Sequence, residues 1–163
     1  MIRSAALAIA LTALVLVGLR IEVVEPVRVT GTSMAPTLEK GDVVVVNKRD
    51  RTPERGDLIT LRSPQNGERM LKRVVGVGGD IVDIRDAILF VNDVEVKEPY
   101  VDHDSIDALY YGPVPVSAGS VLVLGDARAG SIDSRAYGLV PLQDVTGTVL
   151  ARLWPPGAIP YSN

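Results

Sequence analysis

Residues 4–19 form one apolar stretch, interrupted only by Ser4 and Thr12 and bracketed by Arg3 and Arg20. This pattern predicts a single membrane-spanning helix, slightly short of the ~20 residues that cross a bilayer. Arg20 can snorkel to the interface while Ile21, Val23 and Val24 extend the buried length. A cleavable leader needs small residues just beyond its apolar core. The chain instead reads Gly18-Leu19-Arg20-Ile21-Glu22-Val23-Val24, so an uncleaved anchor is expected, with residues 1–24 as anchor and flank. Arg3 favours a cytoplasmic N-terminus and Arg20 opposes it.

Beyond Val24 the pattern shortens to β-branched runs separated by turn residues. Residues 43–47, 58–61, 70–77, 81–84, 88–91, 94–96 and 121–124 read as strands. Asn92-Asp93 predicts a two-residue hairpin turn. No helix-period stretch of useful length follows the anchor. Residues 25–163 are therefore expected to form a mostly-β domain with a barrel-like or sandwich core, and residues of about 78–118 a small inserted lobe. Gly-Asp occurs at Gly41-Asp42, Gly56-Asp57, Gly79-Asp80 and Gly125-Asp126. The first three precede apolar runs and read as turns that launch strands. The fourth follows a strand and opens a polar loop, where site residues concentrate. Residues 97–113 hold most of the tyrosines and read as an irregular insert without chemistry, and Pro155-Pro156-Gly157 as coil.

Composition narrows the chemistry. A net charge of -3 lacks the basic footprint of a nucleic-acid binder. With no cysteine, a thiol nucleophile, a thiolate zinc site and disulfides are excluded. The single histidine, His103, rules out a histidine-rich metal site and reads as a surface residue. Neither metal nor cofactor is expected.

Two residues stand out. Ser33 lies in Gly31-Thr32-Ser33-Met34-Ala35-Pro36-Thr37-Leu38, and Lys72 in the apolar run Met70-Leu71-Lys72-Arg73-Val74-Val75. A serine hydroxyl needs a base to become a nucleophile. Lysine serves only when neutral, which burial among hydrophobes promotes. Met70, Lys72 and Val74 share one strand face, so Lys72 is expected to project among apolar neighbours. Taken singly, Ser33 reads as a turn serine and Lys72 as an exposed strand lysine; the surrounding motifs change that.

The chain resembles bacterial type I signal peptidases. Ser33-Met34-Ala35-Pro36-Thr37-Leu38 is similar to the family's nucleophile box, and Arg55-Gly56-Asp57-Leu58-Ile59 to its second box. Lys72-Arg73-Val74-Val75-Gly76 is similar to the general-base box. Gly125-Asp126-Ala127-Arg128, with Ser131-Ile132-Asp133-Ser134-Arg135 and Gly138, is similar to the last box. The order agrees too, with an apolar segment just before the serine, and the match runs from about Val27 to Gly138 with the insert unmatched.

The resemblance implies a β-rich catalytic core on the extracytoplasmic face of the plasma membrane. It implies a serine endopeptidase that cleaves the signal-peptide region of secretory preproteins after small-x-small sites through an acyl-enzyme. By the same resemblance Ser33 is the nucleophile and Lys72 the base, Ser131 orients the lysine, and Asp126, Asp133, Arg135 and Arg73 shape the site. Met34, Pro36 and Met70 are expected to contact substrate. Some relatives carry, two residues before the nucleophile, a serine that helps hold the oxyanion; here Gly31 stands there, leaving the Ser33 backbone N–H and Thr32. Ala127 replaces the asparagine usual after Gly-Asp. A self-cleaving repressor-type protease shares a Ser-Lys core, but the segment before Ser33 lacks its basic DNA-reading helix. Two rival readings stay open. One is a specialised processing peptidase of conjugation or pilus type, differing in substrate; the second is a non-catalytic anchored β-domain.

Overall fold

The computed structural model describes residues 23–103 and 108–160. The expected anchor over residues 4–19 lies outside them. Among the described residues no helix is long and apolar enough to cross a membrane.

Eleven strands among the described residues form two sheets. The larger is an open, curled half-barrel built from β1 (Val24–Arg28), β2 (Val43–Asn47), β3 (Leu58–Arg62), β4 (Arg69–Val77), β9 (Ser120–Leu124), β10 (Val140–Pro141) and β11 (Val145–Trp154). Its order is β1-β2-β11-β3-β4-β9-β10, with antiparallel neighbours throughout. The smaller sheet, β7-β6-β5-β8, comprises β5 (Ile81–Arg85), β6 (Ile88–Val91), β7 (Val94–Glu95) and β8 (Tyr111–Pro115) and interrupts the chain between β4 and β9. A short helix, α1 (Ser134–Tyr137), is capped by Asp133, whose carboxylate accepts from Arg135 N–H.

Period-two alternation assigns each side chain to a core. On β9, Val121 and Val123 join Ile59, Leu61, Val74, Val140 and Val145 in one cluster. Leu122 and Leu124 point the other way and pack with Val75, Val82, Ile84, Leu89 and Val91, which fastens the two sheets together. A third cluster, Met34, Leu38, Val44, Val46 and Leu58, lies under the segment that follows β1. Strands buried on both faces read as continuous apolar runs, as β9 does.

The seven expected strands all form, with bounds that agree to within one residue. Asn92 and Asp93 both have positive φ, as a type I′ hairpin turn requires. Gly41, Gly56 and Gly79 have positive φ just before β2, β3 and β5, which accounts for the first three Gly-Asp pairs. Four strands escape the sequence pattern. β1 and β8 contain prolines, tolerated because both lie at sheet edges. β10 has only two residues, and bulges break the alternation of β11. Val24, assigned to the anchor flank by hydropathy, opens β1.

Candidate active site

The segment that carries Ser33 is held from below and from both sides. Met34 and Leu38, 1% and 0% exposed, peg it into the third apolar cluster. The Leu38 N–H donates to Met34 O at 2.9 Å and the Ala35 N–H to Thr32 O at 3.1 Å, closing the turn. From the last box, the Ala127 N–H donates to Ser33 O at 3.1 Å. Only a residue without a side chain fits beside that contact: a Cβ on Gly125 would stand 2.6 Å from Ser33 O and overlap Ser131 Oγ. The Ala35-Pro36 peptide is cis.

Lys72 comes from the middle of β4, registered against Ile59 of β3, and is 2% exposed. Its Nζ donates to Ser33 Oγ at 2.7 Å. Burial lowers its pKa to about 8; Asp133 and Asp126 pull the other way and Arg135 adds to the lowering. The neutral amine is thus accessible near physiological pH, as a general base requires.

Arg73, next to Lys72 and 1% exposed, joins all four sequence boxes. It pairs with Asp126 through hydrogen bonds of 2.9 and 2.7 Å. It also donates to Gly56 O at 2.9 Å and to Thr37 Oγ1 at 3.4 Å. Burial works against its charge, and Asp126 more than compensates, so its pKa is raised. Asp133, fully buried, accepts from Gly125 N–H at 3.0 Å and from Arg135 at 2.9 Å through each carboxylate oxygen. These charge-assisted bonds fix the last box beside Ser33 and Lys72.

A groove of about 400 Å³ opens at Ser33 and Lys72. Val27, Gly31, Met34, Met70 and Leu71 line it, and Ser33 and Lys72 stand within it. Arg28, Thr30, Thr60, Glu68 and Arg69 also border it, so its walls are mainly apolar with a polar margin.

The structure brings Ser33, Lys72, Met34 and Met70 to this groove. Asp126, Asp133 and Arg135 act on Lys72 by charge, and Arg73 is paired with Asp126. Ser131 Oγ is buried near Gly125 and makes no hydrogen bond; the hydrogen-bond partner of Lys72 is Ser33. Pro36 and Thr32 are exposed on the turn and do not line the groove. His103 is exposed, and no metal-binding cluster of His, Cys, Asp or Glu occurs among the described residues. Sequence reasoning misses Thr37, Arg128 and, in the insert, Glu98 and Tyr100. Glu98 is buried against Arg128, and the Tyr100 ring lies 4.1 Å from the Arg73 guanidinium. The only sequence signal for them is a carboxylate and a tyrosine flanking Pro99, which does not reveal where they pack.

Comparison with known proteins agrees with this architecture. The family model for signal peptidase, peptidase S26, matches residues 2–154. Signal peptidase I of Leptolyngbya laminosa is 34% identical over 158 residues, covering 90% of this chain and 77% of that protein. Signal peptidase I of Bacillus licheniformis is 36% identical over 136 residues, covering 76% and 73%. Thylakoidal processing peptidase 1 of Arabidopsis thaliana is 35% identical over 151 residues, which span 83% of this chain but 43% of that protein. The crystal structure of a signal peptidase I from Enterococcus faecalis V583 superposes with a TM-score of 0.55 at 32% identity, over 61% of this chain and 97% of that one. The chain belongs to the signal peptidase family, peptidase S26, and is a serine endopeptidase.

Proposed function

We propose that this chain is a signal peptidase I that removes signal peptides from exported preproteins by a Ser33-Lys72 dyad. The observation that carries the reading is the 2.7 Å contact between a buried lysine and a serine that line a mainly apolar groove. With Lys72 neutral, the contact reverses and the Ser33 hydroxyl donates to Nζ. Oγ attacks the scissile carbonyl carbon as its proton passes to Nζ. The Ser33 backbone N–H is the candidate donor to the oxyanion. Collapse expels the amine of the mature protein, protonated by Lys72, and leaves the signal peptide as an ester on Ser33. Water, deprotonated by Lys72, then hydrolyses the ester. Small residues at the first and third positions before the cut would fill the shallow apolar subsites beside Met34 and Met70.

Residues 25–163 are the catalytic domain in this reading, with the smaller sheet as its inserted lobe. The apolar run 4–19 anchors it by a single pass in the plasma membrane, and the domain works on the extracytoplasmic face. Hydropathy and the family's membrane association support that placement.

The pH dependence tests the mechanism. Cleavage of a preprotein carrying an Ala-x-Ala site is expected to fall tenfold per unit as pH drops below about 8, where Lys72 takes up its proton. Equal cleavage at pH 6 and pH 9 contradicts a lysine base. Stability follows the same group with its own sign. Between pH 8 and 10.5 the unfolded chain holds a proton that the folded chain has lost, so stability rises with pH across that window. Below pH 8 both states hold it, and the buried ammonium costs about 3 kcal/mol.

Gly31 offers a second test. A Cβ there meets no atom within 4 Å, and its φ is outside the left-handed region. Gly31→Ser is therefore expected to fold normally. Its hydroxyl adds an oxyanion donor and raises kcat up to about tenfold with KM little changed. An unchanged or lower kcat would show that the hydroxyl does not reach the oxyanion.

A further inference from the structure

Glu98 and Tyr100 lie in the insert, yet they are only 4% and 8% exposed. The Tyr100 hydroxyl donates to Glu98 Oε1 at 2.9 Å, and Arg128 donates to the same oxygen. Arg128 Nε donates to Gly125 O at 3.1 Å, and Arg135 donates to Arg128 O at 2.8 Å. The face of Tyr100 carries the Arg73 guanidinium. One chain of contacts thus runs from the insert through the 125–128 loop to the carbonyl of Ser33, which the Ala127 N–H holds.

The charges in this chain of contacts come in three pairs. Arg73 faces Asp126, Arg135 faces Asp133, and Arg128 faces Glu98. The core motifs supply all three guanidiniums but only two of the carboxylates. The third comes from the insert. The Arg128 and Glu98 side chains are 2% and 0% exposed, so water cannot screen an imbalance between them.

We propose that Glu98 is a positioning residue for the dyad: it balances Arg128 behind Lys72 and holds the 125–128 loop against Ser33. Lys72 itself faces Asp133, Asp126 and Arg135 by charge and Ser33 by hydrogen bond. Glu98 acts on it through Arg128, Tyr100 and Arg73. Loss of the Glu98 charge leaves the guanidinium of Arg128 uncompensated, which disfavours the ammonium of Lys72. Loss of its grip on Arg128 loosens the loop that fixes Ser33.

This role for Glu98 rests on the dyad reading, and one experiment separates the two. The pH profile of preprotein cleavage is measured for the full-length chain and for Glu98→Gln, Glu98→Asp and Glu98→Gln/Arg128→Gln, with thermal unfolding alongside. Glu98→Gln is expected to move the acid limb down by about half a unit. It also lowers plateau kcat about tenfold, with KM within about twofold. Glu98→Asp keeps the charge and therefore the limb, even where it is less stable. The double variant loses both charges and returns the limb to its original position. A limb unmoved in Glu98→Gln, with stability lowered as in Glu98→Asp, reduces Glu98 to a structural staple and overturns the proposal. If Glu98→Gln does not fold, Arg128→Gln carries the test with the opposite sign: the limb must move up, and an unmoved limb overturns the proposal. A parent profile with no acid limb sinks the dyad reading instead.

Discussion

Lys72→Met is expected to abolish preprotein cleavage, by about 10⁴-fold or more, and at the same time to raise the stability of the protein. Methionine fills the volume of the lysine stem but cannot accept the Ser33 proton. At pH 7 the parent carries a buried ammonium whose pKa has fallen from 10.5 to about 8. Removing it relieves about 2 kcal/mol of that burial cost, visible as a higher midpoint in urea. Ser33→Ala is expected to lose activity equally but to lower stability, by about 1–2 kcal/mol, since it removes the hydrogen-bond partner of the buried ammonium. The opposite movement of activity and stability in Lys72→Met distinguishes a functional lysine from a structural one. Cleavage by Lys72→Met at more than about one hundredth of the parent rate contradicts the role given to Lys72.

Asp126→Ala is expected to produce the largest loss of stability, about 3–5 kcal/mol, by removing the carboxylate that makes two hydrogen bonds to a guanidinium 1% exposed. Arg73 ties together the nucleophile turn, the turn before β3 and the last box, so the damage reaches the dyad and activity falls as well. Asp126→Ala combined with Arg73→Met removes both charges and is expected to recover most of the stability but not the activity. Equilibrium unfolding in urea checks both. A loss below about 1 kcal/mol in Asp126→Ala would show that Arg73 is satisfied without it.

The fold is most legible in the sequence where one physical rule acts alone. β2, β3 and β9 have apolar runs that hydropathy finds, and β4 is found by the apolar residues on either side of Lys72 and Arg73. Gly-Asp turns are readable because positive φ demands glycine. β1 and β8 are not, because proline argues against a strand until the edge position is known. β11 is hidden by its bulges and by Arg152. In the site, Ser33 and Lys72 are readable through their motifs, and burial of Lys72 follows from its apolar neighbours on β4. Glu98 is not readable. It stands between Lys97 and Pro99 in no periodic apolar run, and its partner Arg128 lies 30 residues away across the junction of the two sheets. A buried ion pair between distant segments leaves no periodic trace in a single sequence. The tyrosine-rich insert therefore reads as silent, although it completes the charge balance behind the dyad.

One physical property underlies the proposed mechanism: the fold brings the neutral amine of Lys72 within reach near physiological pH, in contact with Ser33. The most direct measurement is the NMR titration of the Lys72 Nζ resonance in the folded protein, assigned by comparison with Lys72→Met. A midpoint near 8 is predicted. A midpoint near 10.5, the ordinary value for a lysine in water, would contradict it.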